Sequence, residues 1–388
     1  MRHPLWPDDG ESLSSDGAST GQYLVVPSPA DPRLVLPTRP TRAADQILLA
    51  LRDQTSLGAR AKTGALRLAA RANVRTTTLP DPPLFGAVTS ALGGERDDYA
   101  IGVQIGPPRA NRKPVLAVCD RAGRLAAFAK CGVDELTDRL VQHEARALEQ
   151  LSGLEATKVP SVISSGTVAL HSADHSYADH SFVVQTPVPA GVRRPDDASV
   201  ISAQVEVASW NTGDVDPDAG LERIYHGWEQ RRSVLPAARP FADIASAWCE
   251  QMRDASVQWG AWHGDWRTTN MSVTDAGCSV WDWERYEQGV PVGYDALHLF
   301  LTTRLPAVHD ITTLPDDLRD HSARLLRPFG IVNRRDVELV TTGYLLAIAG
   351  RYLDDGQEQS GARLGAVREW LLPHLVATSS ATSGAADA

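Results

Sequence analysis

The chain has 388 residues, of which 43% are hydrophobic and 22% are charged, and its formal net charge is -10 at pH 7. This composition is typical of a globular protein of two to three domains. The negative charge argues against nucleic-acid binding, which needs a basic face. The four cysteines form no CxxC pair, so we expect no disulfide framework and no zinc site, and we favour a reducing, cytoplasmic location. No apolar run approaches the ~20 residues that span a bilayer, so no membrane association is expected.

Residues 1–90 are predicted to be an N-terminal tail followed by a small α/β extension. Residues 1–20 are polar and rich in Ser, Gly and Asp, which predicts disorder. Tyr23–Val26 and Leu34–Leu36 are short β-prone runs joined by a turn-forming segment, a pattern that indicates a hairpin. The Pro-rich stretch Leu79–Leu84 is predicted to be a linker. The residues give no role for this extension, although a protein partner could bind there.

Residues 91–186 are predicted to form a small β-rich lobe. Five β-prone runs are predicted to be strands: Tyr99–Ile105, Val115–Cys119, Leu125–Lys130, Val162–Ser165 and Phe182–Gln185. An amphipathic helix from Asp134 to about Leu151 separates the third run from the fourth. Asp134 is a suitable N-cap for this helix, because its carboxylate can accept from a free N–H of the first turn.

One acidic residue lies on the apolar face of this helix. The face consists of Leu136, Leu140, Leu148 and Leu151, and Glu144 falls at the same spacing. A buried carboxylate is costly unless it is paired. Lys130, at the end of the preceding strand, can supply the partner. The sequence therefore predicts a buried Lys130–Glu144 ion pair, although an ordinary strand-end lysine and a helix-edge glutamate would show the same pattern.

Residues 187–388 are predicted to be mostly helical, with a disordered tail over 377–388. The segment Thr186–Gly191 contains two prolines and a glycine, and we expect it to be a hinge between the two lobes.

The strongest local pattern is the sequence HGDWRTTN at His263–Asn270, followed twelve residues later by Asp282 in VWDWE. Between them, Met271–Val273 and Cys278–Trp281 are predicted to form a hairpin, which would bring Asn270 and Asp282 to the same end of two strands. Mg²⁺ prefers oxygen ligands, usually one or two carboxylates completed by nucleotide phosphates. This arrangement therefore indicates a magnesium site.

HGDWRTTN followed by WDWE resembles the motifs of the aminoglycoside phosphotransferase and choline kinase superfamily. The resemblance covers roughly Tyr99 to Tyr352, and it implies an α+β, bilobal protein-kinase-like fold with a small β-sheet N-lobe, a mostly helical C-lobe and an additional N-terminal extension. It also implies roles for single residues. These are Asp265 as the catalytic base, Asn270 and Asp282 as Mg²⁺ ligands, and Asp295 as a structural support of the catalytic loop.

The same resemblance implies nucleotide contacts in the N-lobe. Lys130, oriented by Glu144, would hold the α- and β-phosphates of ATP, as the corresponding pair does in kinases. Gly106, in the loop after the first strand of the lobe, and the hinge residues Thr186 and Val188 are the other expected contacts. The loop is not a GxGxxG, so the sequence departs here from the glycine-rich lid of protein kinases.

A small hydroxyl compound is the expected phosphate acceptor. Only twelve residues separate Asp282 from Asp295, which leaves little room for the segment on which protein kinases dock a peptide. A sugar, an aminoglycoside, an amino alcohol or a nucleoside would fit. We expect Arg267 to neutralise the transferred phosphoryl group or to be a surface arginine, and Trp266 to line the substrate side.

Two other functions remain open from the sequence. The first is a non-catalytic nucleotide-binding regulator or scaffold on the same fold, which the extension would suit. The second is transfer of AMP instead of phosphate. The choice between ATP and GTP and the oligomeric state cannot be derived from these residues.

Overall fold

The computed structural model describes residues 4–6, 20–51, 57–72, 76–106, 109–171, 177–210, 213, 215–360 and 364–383. Most of the predicted N-terminal tail lies outside these residues. The chain divides into two compact units. The first unit contains Met1–Ser152 and Pro160–Val188, and the second contains Gly153–Val159 and Pro189–Ala388.

An antiparallel sheet dominates the first unit. Its strands are β1 Thr20–Ser28, β2 Asp31–Pro37, β3 Thr76–Pro80, β4 Tyr99–Gln104, β5 Val115–Asp120, β6 Leu125–Cys131, β8 Val162–His171 and β9 Tyr177–Gln185. The strand order across the sheet is β3-β1-β2-β4-β5-β6-β9-β8. The five predicted strands of the lobe are therefore confirmed. Strand β8 extends beyond the predicted Val162–Ser165 to His171, and in this added part the buried Val168 and Leu170 alternate with exposed residues.

The extension continues the sheet of the first unit. The β1–β2 hairpin predicted from the two β-prone runs is present, and β2 pairs with β4 through Leu34 and Val35. The sequence does not predict that β1, β2 and β3 join the strands of the lobe in one continuous sheet. Pairing between strands that are distant in the chain leaves no local sequence pattern. The boundaries 1–90, 91–186 and 187–388 stay predictions.

Helices cover both faces of this sheet. They are α1 Thr41–Leu51, α2 Leu57–Arg71, α3 Pro83–Ala91 and α4 Glu135–Gln150. The face that carries Leu24 and Leu34 packs on α1, whereas the face that carries Tyr23 and Val35 forms a second core with α3. Gly102 in β4 allows the close approach of α1, since a Cβ there would lie 2.3 Å from a methyl of Ile47.

The linker predicted over Leu79–Leu84 is wrong. Leu79 lies in strand β3 and Leu84 lies in the first turn of helix α3, and the side chains of both are buried. The prolines that suggested a linker occupy positions that tolerate them. Pro80 is the last residue of an edge strand, and Pro83 opens a helix, where its missing N–H has no partner to lose.

The second unit is mostly helical. Its helices are α5 Ala198–Ser209, α6 Pro217–Val234, α7 Arg239–Met252, α8 Tyr294–Arg304, α9 Leu314–Leu326, α10 Arg334–Asp354, α11 Val367–Trp370 and α12 Leu372–Ser383. Its short strands are β7 Thr157–Lys158, β10 Trp259–Trp262, β11 Met271–Thr274, β12 Gly277–Val280 and β13 Glu287–Pro291. A single hydrophobic core joins the helices to β10 and β13.

The predicted α+β class, with a sheet-based lobe and a mostly helical lobe, is confirmed. The C-terminal tail differs from prediction, because α12 continues to Ser383 and, within that tail, only residues 384–388 lie outside the described part of the chain. Within the described residues, none of the helices combines the length and the apolar character needed to cross a membrane.

Candidate active site

The loop that contains His263, Gly264 and Asp265, here called the HGD loop, is held in place by the carboxylate of Asp295. The backbone N–H of His263 donates to Oδ2 of Asp295 at 2.7 Å, and that of Gly264 donates to Oδ1 at 3.2 Å. Asp295 belongs to the first turn of α8 and is 3% exposed. Burial raises the pKa of Asp295 to about 7, and the two backbone donors act in the opposite direction. The predicted structural role of Asp295 as a support of the loop is confirmed.

His263 connects the loop to the following hairpin. Its Nε2 lies 3.1 Å from the carbonyl oxygen of Trp281, and its Nδ1 accepts from the backbone N–H of Asp265 at 3.1 Å. Burial lowers the pKa of His263 to about 4, so the ring is neutral at pH 7. The two partners then require the proton on Nε2, since a carbonyl oxygen only accepts.

Asp265 lies in a ring of donors. Its Oδ1 accepts from Nε of Arg267 at 3.0 Å, from Nη2 of the same side chain, and lies 3.2 Å from Nε2 of His298. Its Oδ2 accepts from Nδ2 of Asn270 at 3.1 Å. Burial alone would raise the pKa of Asp265, but the charge of Arg267 and the hydrogen bond from His298 hold it far below its usual range. The carboxylate is therefore ionised and acts only as a hydrogen-bond acceptor.

The predicted hairpin between Asn270 and Asp282 is present. β11 pairs with β12 from Met271↔Val280 to Thr274↔Gly277. At the open end of this ladder, the backbone N–H of Trp281 donates to the carbonyl oxygen of Asn270 at 3.1 Å. Asp282 follows directly and has a φ of 74°, the left-handed conformation that aspartate tolerates better than most residues. Such conformations concentrate at functional sites.

The donor set at this end of the hairpin fits a magnesium ion. The Nδ2 of Asn270 donates to both the backbone oxygen and Oδ2 of Asp265, so the amide nitrogen is fixed and Oδ1 is the group left to bind a cation. Thr269 donates to that oxygen at 3.3 Å, a long hydrogen bond. An amide oxygen and the carboxylate of Asp282 are ligands that Mg²⁺ prefers.

In the first unit, the predicted Lys130–Glu144 ion pair is present. Nζ of Lys130 donates to Oε1 and Oε2 of Glu144 at 2.6 and 2.8 Å. The two residues are 5% and 0% exposed. The strand β6 and the helix α4 position them, and Asp134 caps α4 by accepting from the N–H of Thr137 at 2.8 Å, as predicted. Their part in catalysis stays a prediction.

The other predicted nucleotide contacts also belong to the first unit. Gly106 follows β4 with a φ of 74°, which favours glycine, and its N–H donates to the carbonyl oxygen of Arg33. Thr186 exchanges two hydrogen bonds with Ser161, both of 2.9 Å. Val188 is half-buried and is the last residue of this unit. Asp265, Asn270 and Asp282 all belong to the second unit.

The structure corrects the predicted position of Trp266 and identifies the partner of Arg267, the two residues that follow Asp265. Trp266 is 0% exposed, so it cannot line a substrate surface and instead packs against the ring of His263 at 5.9 Å between centroids. The guanidinium of Arg267 contacts Asp265 directly, so its closest partner is the predicted base. Its side chain is 39% exposed.

Sequence reasoning missed three residues that surround the loop. They are His298, Tyr344 and Arg351, of which the first contacts Asp265, the second contacts His298 and the third donates to the carbonyl oxygen of Gly264. Helical spacing gives only a partial signal for these residues, because an ordinary core shows the same spacing. His298 lies three residues after Asp295 in α8, and Arg351 lies seven residues after Tyr344 in α10, so each pair shares a helix face.

The loop depends on a glycine at position 264. Its φ is +85°, and a Cβ there would lie 2.2 Å from the carbonyl oxygen of Arg285. Gly264→Ala is therefore expected to lower the free energy of unfolding by about 1–3 kcal/mol. Urea denaturation would measure it, with Gly86→Ala as the control, since that exposed helical glycine has space for a Cβ and its replacement should stabilise slightly. Equal effects of the two changes would contradict the steric argument.

Comparison with known proteins gives a family match for part of the chain. A model described as the phosphotransferase enzyme family matches residues 133–307. No curated protein matches the sequence. Among solved structures, a thermostable mutant of the aminoglycoside phosphotransferase APH(4)-Ia has 13% identity and a TM-score of 0.44, covering 69% of this chain and 91% of its own. The ethanolamine kinase of Plasmodium vivax has 10% identity and a TM-score of 0.47, covering 73% and 84%.

A third structure has a similar level of likeness. It is a fructosamine-3-kinase homologue from Haemophilus somnus, with 10% identity and a TM-score of 0.44, covering 74% of this chain and 97% of its own. The family match contains Glu144, Asp265, Asn270, Asp282 and Asp295. The resemblance to the aminoglycoside phosphotransferase and choline kinase-like superfamily is therefore confirmed for residues 133–307, which match the phosphotransferase enzyme family.

Proposed function

We propose that this protein transfers the γ-phosphate of ATP to a hydroxyl group of a small molecule, in a reaction that depends on Mg²⁺. The observation that carries the proposal is the position of Asp265, Asn270 and Asp282. Asp265 accepts a hydrogen bond from the amide of Asn270, and the pairing of β11 with β12 brings the backbone of Asn270 and Asp282 to the same end of the hairpin. The family match over residues 133–307 supports the class of reaction.

Asp265 is the group that would take the proton of the acceptor hydroxyl. In the proposed step, the hydroxyl oxygen forms a bond to the γ-phosphorus, the bond from that phosphorus to the bridging oxygen of ADP breaks, and the hydroxyl proton passes to Oδ2 of Asp265. Asn270 and Asp282 would hold Mg²⁺, which when bound neutralises charge on the phosphates. Lys130 would donate to the phosphate oxygens, with Glu144 fixing the direction of its ammonium.

The acceptor remains a class of compound in this proposal. A sugar, an aminoglycoside, an amino alcohol or a nucleoside each presents a hydroxyl of the required kind. Phosphate transfer adds about 80 Da to the acceptor, whereas AMP transfer would add about 329 Da, as the masses of the transferred groups require. The mass of the product therefore separates the two reactions.

Thermal unfolding with and without Mg·ATP tests the nucleotide site. Binding to the native state stabilises it by about 2.7 kcal/mol at a hundredfold excess over Kd, so we expect Tm to rise in the wild type and not in Asp282→Ala. Asp275→Ala is the matched control, because Asp275 is exposed in the turn of the same hairpin. Its Tm should rise like that of the wild type.

A screen of hydroxyl acceptors that follows ADP release would then test the reaction. No rise of Tm with either ATP or GTP would contradict the kinase proposal. A Mg-dependent rise without product from any acceptor class would favour the non-catalytic nucleotide-binding regulator, with residues 1–90 as the place to look for its partner.

A further inference from the structure

A buried histidine and a buried tyrosine lie behind the predicted catalytic base. His298, in α8, is 1% exposed and places Nε2 at 3.2 Å from Oδ1 of Asp265. Its Nδ1 is 3.0 Å from the hydroxyl of Tyr344, in α10, which is 0% exposed. Neither residue belongs to the HGD loop or to the hairpin.

The partners of the ring determine which nitrogen carries the proton. Burial lowers the pKa of His298 to about 4, so the ring is neutral at pH 7. An ionised carboxylate only accepts hydrogen bonds, so Nε2 must be the donor to Asp265 and Nδ1 must accept. Tyr344 then has to donate its hydroxyl proton, and burial keeps that proton in place by raising the pKa of Tyr344 well above 10.

This chain of donors leaves the two oxygens of Asp265 unequal. Oδ1 accepts from Arg267 and His298, whereas Oδ2 accepts from Asn270 alone among the described residues. Each carboxylate oxygen has two lone pairs. Oδ1 is therefore saturated, and Oδ2 keeps the capacity to accept one further hydrogen bond.

We infer that His298, oriented by Tyr344, is a positioning residue that fixes the carboxylate of Asp265 with Oδ2 directed to the acceptor hydroxyl. The inference rests on the proposed function, because it assigns the direction of the base in that reaction. It adds two residues, from α8 and α10, that the catalytic motif does not contain.

Arg267 alone would orient Asp265 less firmly. Its side chain is 39% exposed, and holding a long, partly exposed side chain in one geometry costs rotamer entropy. The ring of His298 is fixed at both nitrogens and is packed against Trp262 and Tyr344, with centroid distances of 6.5 and 6.0 Å. Because His298 lies on α8 and is hydrogen-bonded to Tyr344 of α10, its donor N–H keeps one position relative to Asp265. Catalytic side chains need such a fixed geometry.

Three substitutions test the inference by steady-state kinetics. His298→Phe keeps an aromatic ring but removes the donor, and loss of a hydrogen bond to a charged group should lower kcat about 10- to 100-fold without changing KM for ATP. His298→Gln can place an amide N–H near the position of Nε2 and should recover most of kcat. His321→Phe, in α9, is the control and should keep the kcat of the wild type.

The tautomer of His298 provides a measurement that does not depend on activity. ¹⁵N NMR of the imidazole should show the proton on Nε2 in the wild type at pH 7. Tyr344→Phe removes the donor to Nδ1, so the Nε2–H form should lose its dominance and kcat should fall less than in His298→Phe. Melting curves establish that each variant is folded.

The outcomes separate the inference from the proposed function. If the wild type transfers no phosphate to any acceptor, the proposed function fails, whatever the NMR result. If the wild type is active but folded His298→Phe keeps its kcat, or His298→Gln is no better than His298→Phe, the positioning role is refuted. A wild-type tautomer with the proton on Nδ1 would also overturn it.

Discussion

Asp265→Ala is expected to lower turnover by about 10²–10⁴-fold while Mg·ATP still raises Tm. The reason is the position of Asp265 between donors and not among the predicted magnesium ligands. Its carboxylate accepts from Arg267, His298 and Asn270, and the proposed step needs it only to accept the hydroxyl proton. Single-turnover rates with a fixed acceptor would measure the loss directly.

A matched control distinguishes lost chemistry from a general loss of stability. Asp310 is an aspartate of the same unit that accepts from the N–H of Thr312 at 3.0 Å and lies far from the HGD loop in sequence. Asp310→Ala removes a cap, which costs about 1 kcal/mol, and should leave turnover unchanged. If Asp265→Ala kept wild-type turnover, its assignment as the base would be wrong.

The sequence could predict those parts of the site in which the spacing of residues along one strand pair or one helix fixes their relative positions. The run from Asn270 to Asp282 contains one turn signal between two β-prone segments, and two antiparallel strands must bring their ends together. Glu144 falls on the apolar face of its helix, so burial required a cation, and Lys130 at the end of the preceding strand could supply it. Each inference used contacts within about twenty residues.

The contacts that escaped prediction join segments distant in the chain. His298 is 33 residues from Asp265, and Tyr344 is 46 residues from His298. A histidine or a tyrosine on an apolar helix face has the same pattern whether it is an ordinary core residue or contacts the HGD loop. Only the packing of α8 and α10 distinguishes these cases, and that packing depends on side chains throughout the core.

The linker prediction over Leu79–Leu84 is wrong for a related reason. Proline is scarce inside strands and helices, so the run from Leu79 to Leu84 looked like a linker. In the structure the prolines stand at the end of an edge strand and at the start of a helix. Position within the element decides whether proline is tolerated, and that position is known only once strand pairing is known.

The buried ion pair of the first unit gives the second large expected effect. Glu144→Leu removes the carboxylate that accepts two hydrogen bonds from Nζ of Lys130, while the ammonium is 5% exposed. Removing one partner of a buried pair typically costs 3–5 kcal/mol, because the remaining charge is desolvated without compensation. We therefore expect the free energy of unfolding to fall by about that amount, as measured by urea denaturation.

An exposed ion pair in the same helix is the control. Arg139 and Glu135 are 60% and 89% exposed at the side chain, and such pairs contribute about 0–1 kcal/mol. Glu135→Ala should therefore change stability by less than a third of the effect of Glu144→Leu. Equal losses in the two variants would mean that the cost comes from the helix and not from the buried charge.

The double variant Lys130→Met with Glu144→Leu separates stability from function. Replacing a buried ion pair by apolar residues of similar size is often neutral or stabilising, so the double variant should recover most of the lost free energy of unfolding. If Lys130 binds the nucleotide phosphates, its Tm should nevertheless fail to respond to Mg·ATP. Recovery of stability together with a normal response to Mg·ATP would show that the pair is structural and would remove Lys130 and Glu144 from the proposed mechanism.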